Sequence, residues 1–583
     1  MPQNNFKSRI KILKYVALLL FAVILVRLFF IQIVEHGDYL AKADEQHILQ
    51  TTIAARRGEI YMMDNGEPVP VVLNQTRYFI AIDPTVTKKE TAEKVLKDYA
   101  NEYKVSDLEK VYDTKGLRYA IIAKDMPREV AEKIIKADFS GIWVKKSNHR
   151  VYPEGELASG LLGFVNGEDK GQYGVEGSLD ELLSGKDGEL KTVTDINRVA
   201  LSIGSENFKK PAEDGKNIVL SVDRGLEKGI EELALEAIIN TNATNASVLV
   251  MDPNTSKVVA MANLPNYNPE KYFEVEDVSR YLNYVTDIPY EPASVCKTFT
   301  YAAAINEGVM SPETTYFNKH VEVIDGKIIN NASQYDHLYG VTDMKKAFYW
   351  SLNTGSIYAL KLLGGDSNSI NQSGREKLFD YYYNKFRLGQ FTGIEINESD
   401  GIIQPPNDGW ARDLAYATMT FGQGLNITTL QAATAFSAIV NGGTYRTPSI
   451  IEGIYEKGEI IRRENENAVE EKILSEETSA TMRDLLINNR STSRRTGVDR
   501  SGYAIGGKTG TGEVIRDGAY NENFSELIGS YLGFVGPSGE LPKYVIMVKM
   551  WGEGQSVGGG EAMDLFTAIS NYLIDYFKIQ PKE

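Results

Sequence analysis

Two apolar strands that directly follow one amphipathic helix, and three more that directly precede another, limit the folds open to residues 223–583. Apolar residues recur at helical spacing from Arg224 to Ile239. Ser247 to Asp252 and Lys257 to Asn263 then read as strands joined at Pro253-Asn254, a dipeptide that favours a turn. Much later, Tyr503 to Thr511, Ile528 to Gly536 and Tyr544 to Trp551 read as strands, and Ala562 to Phe577 as a closing helix. Such strands form one five-stranded, mainly antiparallel sheet on which both helices pack. The stretch between, Ser294 to Val440, is largely helical and supplies a lobe. The expected class is α/β (α+β), with a cleft between lobe and sheet.

The segment Tyr15 to Val34 is interrupted only by Arg27 and Gln32 and has the length, about 20 residues, that spans a bilayer. Residues 1–14 carry Lys7, Arg9, Lys11 and Lys14 and no acid, which places the N-terminus in the cytoplasm and the remainder outside. A cleaved signal peptide is the rival reading, because Ala41-Lys42-Ala43 resembles a cleavage site; that site lies too far beyond the first apolar run. Arg27 either snorkels or meets a partner helix. Residues 35–222 read as a spacer of short strands and helices. Within it, Arg56-Arg57-Gly58-Glu59-Ile60-Tyr61 with Asp64-Asn65-Gly66 reads as a strand entering a hairpin turn, and Thr87 to Tyr103 and Pro127 to Ala137 are helical. The Gly-rich stretches Arg150 to Gly163 and Gly171 to Gly188 read as loops. The expected division is a tail (1–14), an anchor (15–34), a pedestal (35–222) and a larger domain (223–583), consistent with 583 residues of 42% hydrophobic content.

A net charge of −16 argues against a nucleic-acid partner, which needs a basic face. The single cysteine, Cys296, excludes an internal disulfide, and the five histidines show no metal-ligand spacing, so neither metal nor cofactor is expected.

Chemistry enters at Tyr290-Glu291-Pro292-Ala293-Ser294-Val295-Cys296-Lys297. Pro292 suits the mouth of a helix that continues through Phe299 to Ile305 and stops at Gly308. Residues three apart share a helix face, so the Ser294 hydroxyl and the Lys297 amine come within hydrogen-bonding reach, a nucleophile beside a base. The amine can act only if burial or nearby positive charge lowers its pKa. Cys296, two residues on, falls on the opposite face, toward the core of the lobe. A chain of this length holds about two Ser-x-x-Lys matches by chance, so context has to carry the reading. Ser351-Leu352-Asn353 opens a helical run ending near Leu363, and Lys508-Thr509-Gly510-Thr511 ends a strand. The ordered set can meet at one site as nucleophile, proton relay and carboxylate clamp of an acyl-transfer enzyme.

These three motifs resemble those of the penicillin-binding proteins, the serine D,D-transpeptidases. Met251-Asp252-Pro253 through Pro265-Asn266-Tyr267-Asn268-Pro269, Phe386 to Gly393 and Phe421-Gly422-Gln423-Gly424 resemble the same family over roughly 223–583. The anchor, Arg57-Gly58-Glu59-Ile60 and Tyr152-Pro153 are similar to the class B, monofunctional members, with Met62-Met63-Asp64 a departure from their usual pattern. Little chain follows Lys508-Thr509-Gly510, so no appended C-terminal modules are expected. The resemblance implies that Lys297 deprotonates Ser294, helped by Lys508, and that Ser294 attacks the carbonyl between two D-alanines of a peptidoglycan stem peptide. It implies backbone N–H groups of Ser294 and Thr511 at the oxyanion, Ser351 relaying a proton, and Asn353 orienting the substrate. Lys508, Thr509, Gly510 and Thr511 would hold the terminal carboxylate, which β-lactams mimic. It also implies a polytopic lipid II polymerase as membrane partner, and Asn353 leans toward division rather than elongation. A carboxypeptidase or β-lactam sensor using the same acyl-enzyme, and a non-catalytic scaffold, are the alternatives.

Overall fold

The computed structural model describes all residues except 1–3, 38, 40–47, 194–207, 333–336, 408, 410–411, 463–464, 466–467, 493–498, 514, 517–518, 521–525, 554–556 and 583. Two compact units emerge, one formed by residues 1–57 with 184–215 and the other by 58–183 with 216–583. The first holds an apolar helix, Asn4–Phe29, continued by a wider turn at Phe30–Val34, and an antiparallel three-stranded sheet. Residues Arg9–Val34 are helical, the mean hydropathy of their 18-residue apolar window is 2.7, and the segment is long and apolar enough to cross a membrane. Arg27 lies 3.5 Å from Glu35, so the one cation in the apolar run has a counter-charge at its end.

In the second unit, the expected sheet is present and wholly antiparallel. Helix α1 (Arg224–Thr241) leads into β1 (Asn245–Met251) and β2 (Val258–Leu264); β3 (Tyr503–Glu513), β4 (Glu526–Pro537) and β5 (Tyr544–Glu553) complete it in the order β2-β1-β5-β4-β3. The closing helix is Gly559–Tyr576. Ala246, Val248 and Val250 of β1 pack in the core under the two helices, whereas Leu249 and Met251 join the lobe's core. Both faces of the central strands are therefore covered, which is why they read as apolar runs without alternation. Strand β3 continues to Glu513, past the point where the sequence suggested it ended. Gly510 and Gly512 weaken its strand signal, but β4 pairs with it as far as Glu513.

A second sheet gathers strands from distant parts of the same unit. Ile218–Asp223 pairs in parallel with Ile60–Asp64 and antiparallel with Ile451–Glu456, and Ile60–Asp64 turns through Asn65-Gly66 into Glu67–Ile82. Both turn residues have positive φ, 51° and 88°, as an Asn-Gly hairpin requires. Arg150 donates to Glu176 Oε1 at 2.6 Å and to the Gly58 carbonyl oxygen at 2.7 Å. A Cβ at Gly58 would lie 1.9 Å from the Lys216 carbonyl oxygen, so only glycine fits there. Arg224 bonds Asp64 and Glu154, giving Asp64 a role despite the atypical methionines before it. The Gly-rich stretches are not simply loops: Ser159–Leu162, Gly174–Ser178 and Asp180–Ser184 are short helices held by buried Leu161, Leu162, Val175 and Leu183. The expected helix from Thr87 begins at Lys89 and widens at Leu96–Ala100.

Helix α5 supports the edge strand β3, where α2 (Cys296–Asn306), α3 (Asn353–Leu363), α4 (Thr429–Val440) and α5 (Glu476–Ser491) are the lobe's main helices. Asn489 donates to the Gly507 carbonyl oxygen at 2.7 Å. Arg490 is 1% exposed, pairs with Asp499 at 2.6 Å and lies over the ring of Phe566 at 5.1 Å. Arg490→Met removes a buried cation from its carboxylate and should lower stability by about 3 kcal/mol. Denaturant unfolding measures this, with the exposed Arg462→Met unchanged as control.

Candidate active site

Ser294 lies in a single tight turn, Ala293–Val295, from which α2 starts at Cys296. Ala293 holds φ +50°, a left-handed conformation unusual for a residue with a side chain. This turn is pressed onto β3. A Cβ at Gly510 would sit 2.5 Å from the Pro292 carbonyl oxygen, and one at Gly512 2.8 Å from that of Glu291. The glycines of the Lys508 motif thus let the backbone around Ser294 approach the strand, bringing Ser294 and Thr511 to one place.

Lys297 is 1% exposed and Lys508 likewise. Lys297 Nζ donates to the Ser351 carbonyl oxygen, to Ser351 Oγ at 3.1 Å and to Asn353 Oδ1 at 2.8 Å. Lys508 Nζ donates to the same Ser351 Oγ at 3.0 Å and to its neighbour's carbonyl oxygen, that of Thr509, at 3.3 Å. Burial, and after it the repulsion of Lys508, holds Lys297 well below the ordinary lysine range. Burial alone brings Lys508 down to about 7. Ser351 itself holds φ +53°.

Asn353 begins α3 without capping it: Leu352 is the capping position, and the Asn353 amide spans Lys297 and the Asn330 carbonyl oxygen, the latter at 2.9 Å. Behind it, Thr354 N donates to Asn331 Oδ1 and Asn331 Nδ2 donates to Asn318 Oδ1. The expected bond between Ser294 and Lys297 is absent among the described residues. Ser294 sits in the turn before regular helix begins, and the amine hydrogens of Lys297 go to Ser351 and Asn353. Thr509 and Thr511 lie on the opposite face of β3 from Lys508, beside the start of the closing helix, where Thr511 Oγ1 accepts from Gly559 N at 3.0 Å. Thr511 is exposed and Thr509 partly so.

Sequence reasoning singled out neither Asn330 nor Lys549. Asn330 carries no motif. Lys549 had a readable signal, a lone lysine inside the apolar run Val545 to Trp551. No group of His, Cys, Asp and Glu side chains that could hold a metal occurs among the described residues.

A serine at a strained helix start, two buried amines and a polar pair at the mouth of a second helix are the parts a serine acyl-transfer site needs. The penicillin-binding protein transpeptidase domain matches residues 246–571, and the penicillin-binding protein dimerisation domain matches residues 52–220. The chain belongs to the penicillin-binding-protein transpeptidase family, in its class B form. It is 28% identical over 542 residues to the stage V sporulation protein D of Bacillus subtilis, covering 91% of this chain and 79% of that one. It is 26% identical over 553 residues to the probable peptidoglycan D,D-transpeptidase PenA of Neisseria meningitidis serogroup A, covering 93% and 87%. The fold is shared with penicillin binding protein 3 from Mycobacterium tuberculosis complexed with aztreonam, at 22% identity and a TM-score of 0.66, covering 91% and 98%.

Cys296 is fully buried in the lobe's core, and burial raises its thiol pKa well above the usual range. The folded protein should resist maleimide at pH 8 for hours, and the guanidinium-unfolded protein should label fully, as intact mass will show.

Proposed function

We propose that this protein is a membrane-anchored peptidoglycan D,D-transpeptidase that cross-links stem peptides through an acyl-enzyme on Ser294, and that β-lactams acylate the same serine. One observation carries this reading: Lys297 and Lys508, both buried, converge on the Ser351 hydroxyl beside the turn that holds Ser294. In its neutral form Lys297 takes the Ser294 proton as Oγ attacks the carbonyl of the penultimate D-alanine. Backbone N–H groups of Ser294 and Thr511 stabilise the oxyanion, a contribution of about 3 kcal/mol for one such donor. Ser351 passes a proton to the amine of the departing D-alanine, Asn353 orients the stem amide, and Lys508, with the backbone edge of Thr509, Gly510 and Thr511, holds the terminal carboxylate. An amine from a neighbouring stem then attacks the ester, forms the cross-link and releases Ser294.

Residues 223–583 form the transpeptidase domain in this reading, carried on a pedestal of 35–222 outside the membrane, with 15–34 as the anchor and 1–14 in the cytoplasm. A polytopic polymerase that extends glycan from lipid II is the proposed membrane partner, and division the proposed role. The Arg27–Glu35 pair favours a snorkelling role for Arg27. Hydrolysis of the same acyl-enzyme would make a carboxypeptidase. Incubating a stem pentapeptide with an acceptor amine separates the two, because only transpeptidation yields the amide product.

Ser294→Ala should abolish the penicilloyl adduct in intact mass, while Ser369→Ala, in an exposed loop, leaves it intact. An adduct on the Ser294→Ala protein would sink the assignment. Acylation should rise with pH as Lys297 loses its proton and fall again as Lys508 loses the charge that clamps the carboxylate. Lys508→Ala removes the like charge, so the acid limb of the pH–rate profile should move to higher pH. Lys297 should still titrate below an ordinary lysine, because burial is the larger cause of its shift.

A further inference from the structure

A row of polar or small residues crosses all five strands of the sheet on the face that meets the lobe. In register it runs Asn263, Ser247, Lys549, Ser530 and Gly510. Its neighbours on that face, Met261, Leu249, Met547 and Leu532, are core residues. Lys549 is the only cation in the row, 5% exposed at the centre of β5. A buried amine there is costly unless its hydrogens find acceptors.

They find a loop. Lys549 Nζ donates to the carbonyl oxygens of Tyr284, at 2.9 Å, and Ile288, at 3.4 Å. The three carbonyls between are held from elsewhere: Val285 by the Leu430 N–H at 3.1 Å, Thr286 by the Ser399 N–H and Asp287 by the Ser399 hydroxyl, both at 2.9 Å. Five consecutive carbonyls are thus fixed by groups outside the loop, and Lys549 takes the first and the last. The chain then passes Pro289 to Tyr290, which exchanges two backbone bonds with Ile427 and whose ring lies 4.8 Å from Lys549 Nζ. Four residues beyond Tyr290 it reaches Ser294, where β3 and the turn touch at Gly510, the far end of the same row.

We infer that Lys549 is a positioning residue for acylation: through the Tyr284 and Ile288 carbonyls it fixes the loop that delivers Ser294 onto the Lys508 strand. It touches neither substrate nor reacting atoms. Burial lowers its pKa to about 7, and the neutral amine still carries two N–H donors, as many as the carbonyls it holds. An apolar residue of equal length would keep the packing and free both ends of the loop, and a nucleophile displaced by about 1 Å loses about two orders of magnitude in rate.

The inference rests on the transpeptidase reading, so the experiment has to separate the two. Full-length protein in detergent, wild type, Lys549→Met and Lys549→Gln, is reacted with a fluorescent penicillin over a range of concentrations. Saturation resolves the dissociation constant of the non-covalent complex from the first-order acylation constant. Lys549→Met should lose about thirtyfold in the acylation constant, with the dissociation constant within about threefold, and Lys549→Gln, which keeps N–H donors, should recover part of the rate. A folded Lys549→Met protein that acylates within about threefold of wild type, or that loses only in the dissociation constant, overturns the inference. If the Met variant does not fold, the Gln variant decides: a wild-type acylation constant overturns the inference, and an intermediate one supports it. Wild-type protein that takes no penicilloyl group overturns the functional reading and the inference with it.

Discussion

Two buried amines that donate to one hydroxyl each hold their charge at a cost. Ser351 Oγ accepts from Lys297 and from Lys508 at nearly equal distance, and each amine is fully buried. In such a place desolvation already disfavours either cation, and the presence of one raises the cost of the other. The deeper of the two shifts falls on Lys297, three residues from Ser294, and the milder on Lys508, which lies on the edge strand β3. Burial, and for Lys297 the nearby charge of Lys508, thus sets the two lysines apart, and Ser351, held in a left-handed conformation at the mouth of α3, is the acceptor they share.

The rest of the second unit holds that arrangement still. The sheet is covered on both faces, by α1 and the closing helix on one side and by α4 and the lobe on the other. Its edge strand β3 is secured by α5 through Asn489 and by the buried Arg490 cluster. The polar network of Asn318, Asn331 and Thr354 does the same for α3, so that Lys508 and Asn353 each rest on a separately braced element.

Much of this was legible in the sequence because it depends on local pattern. The five strands, the flanking helices and the Asn65-Gly66 hairpin follow from periodicity and turn chemistry, and the three motifs locate Ser294, Lys297, Ser351, Asn353 and Lys508 together. What was not legible depends on partners distant in the chain. Strand β3 outruns its propensity because β4 pairs with it, and the Gly-rich stretches after Arg150 coil into short helices because their few leucines are buried. The amine of Lys297 turns from Ser294 toward Ser351 and Asn353 because the nucleophile lies in a tight turn, where the helical rule of three does not apply. Lys549 is a related case: its oddity within an apolar strand is visible, but the carbonyls that explain it lie more than 250 residues earlier, at 284 and 288.

The parallel pairing of Ile218–Asp223 with Ile60–Asp64 has a mechanical side. The chain enters this pair at the start of one strand and leaves it for α1 at the end of the other. Tension applied between those two points pulls the strands along their length in opposite senses. Rungs of a ladder loaded in this way share the strain together, where a hairpin pulled at its open end would yield one rung at a time. The joint between Ile60–Asp64 and α1 is thus loaded in shear rather than unzipped.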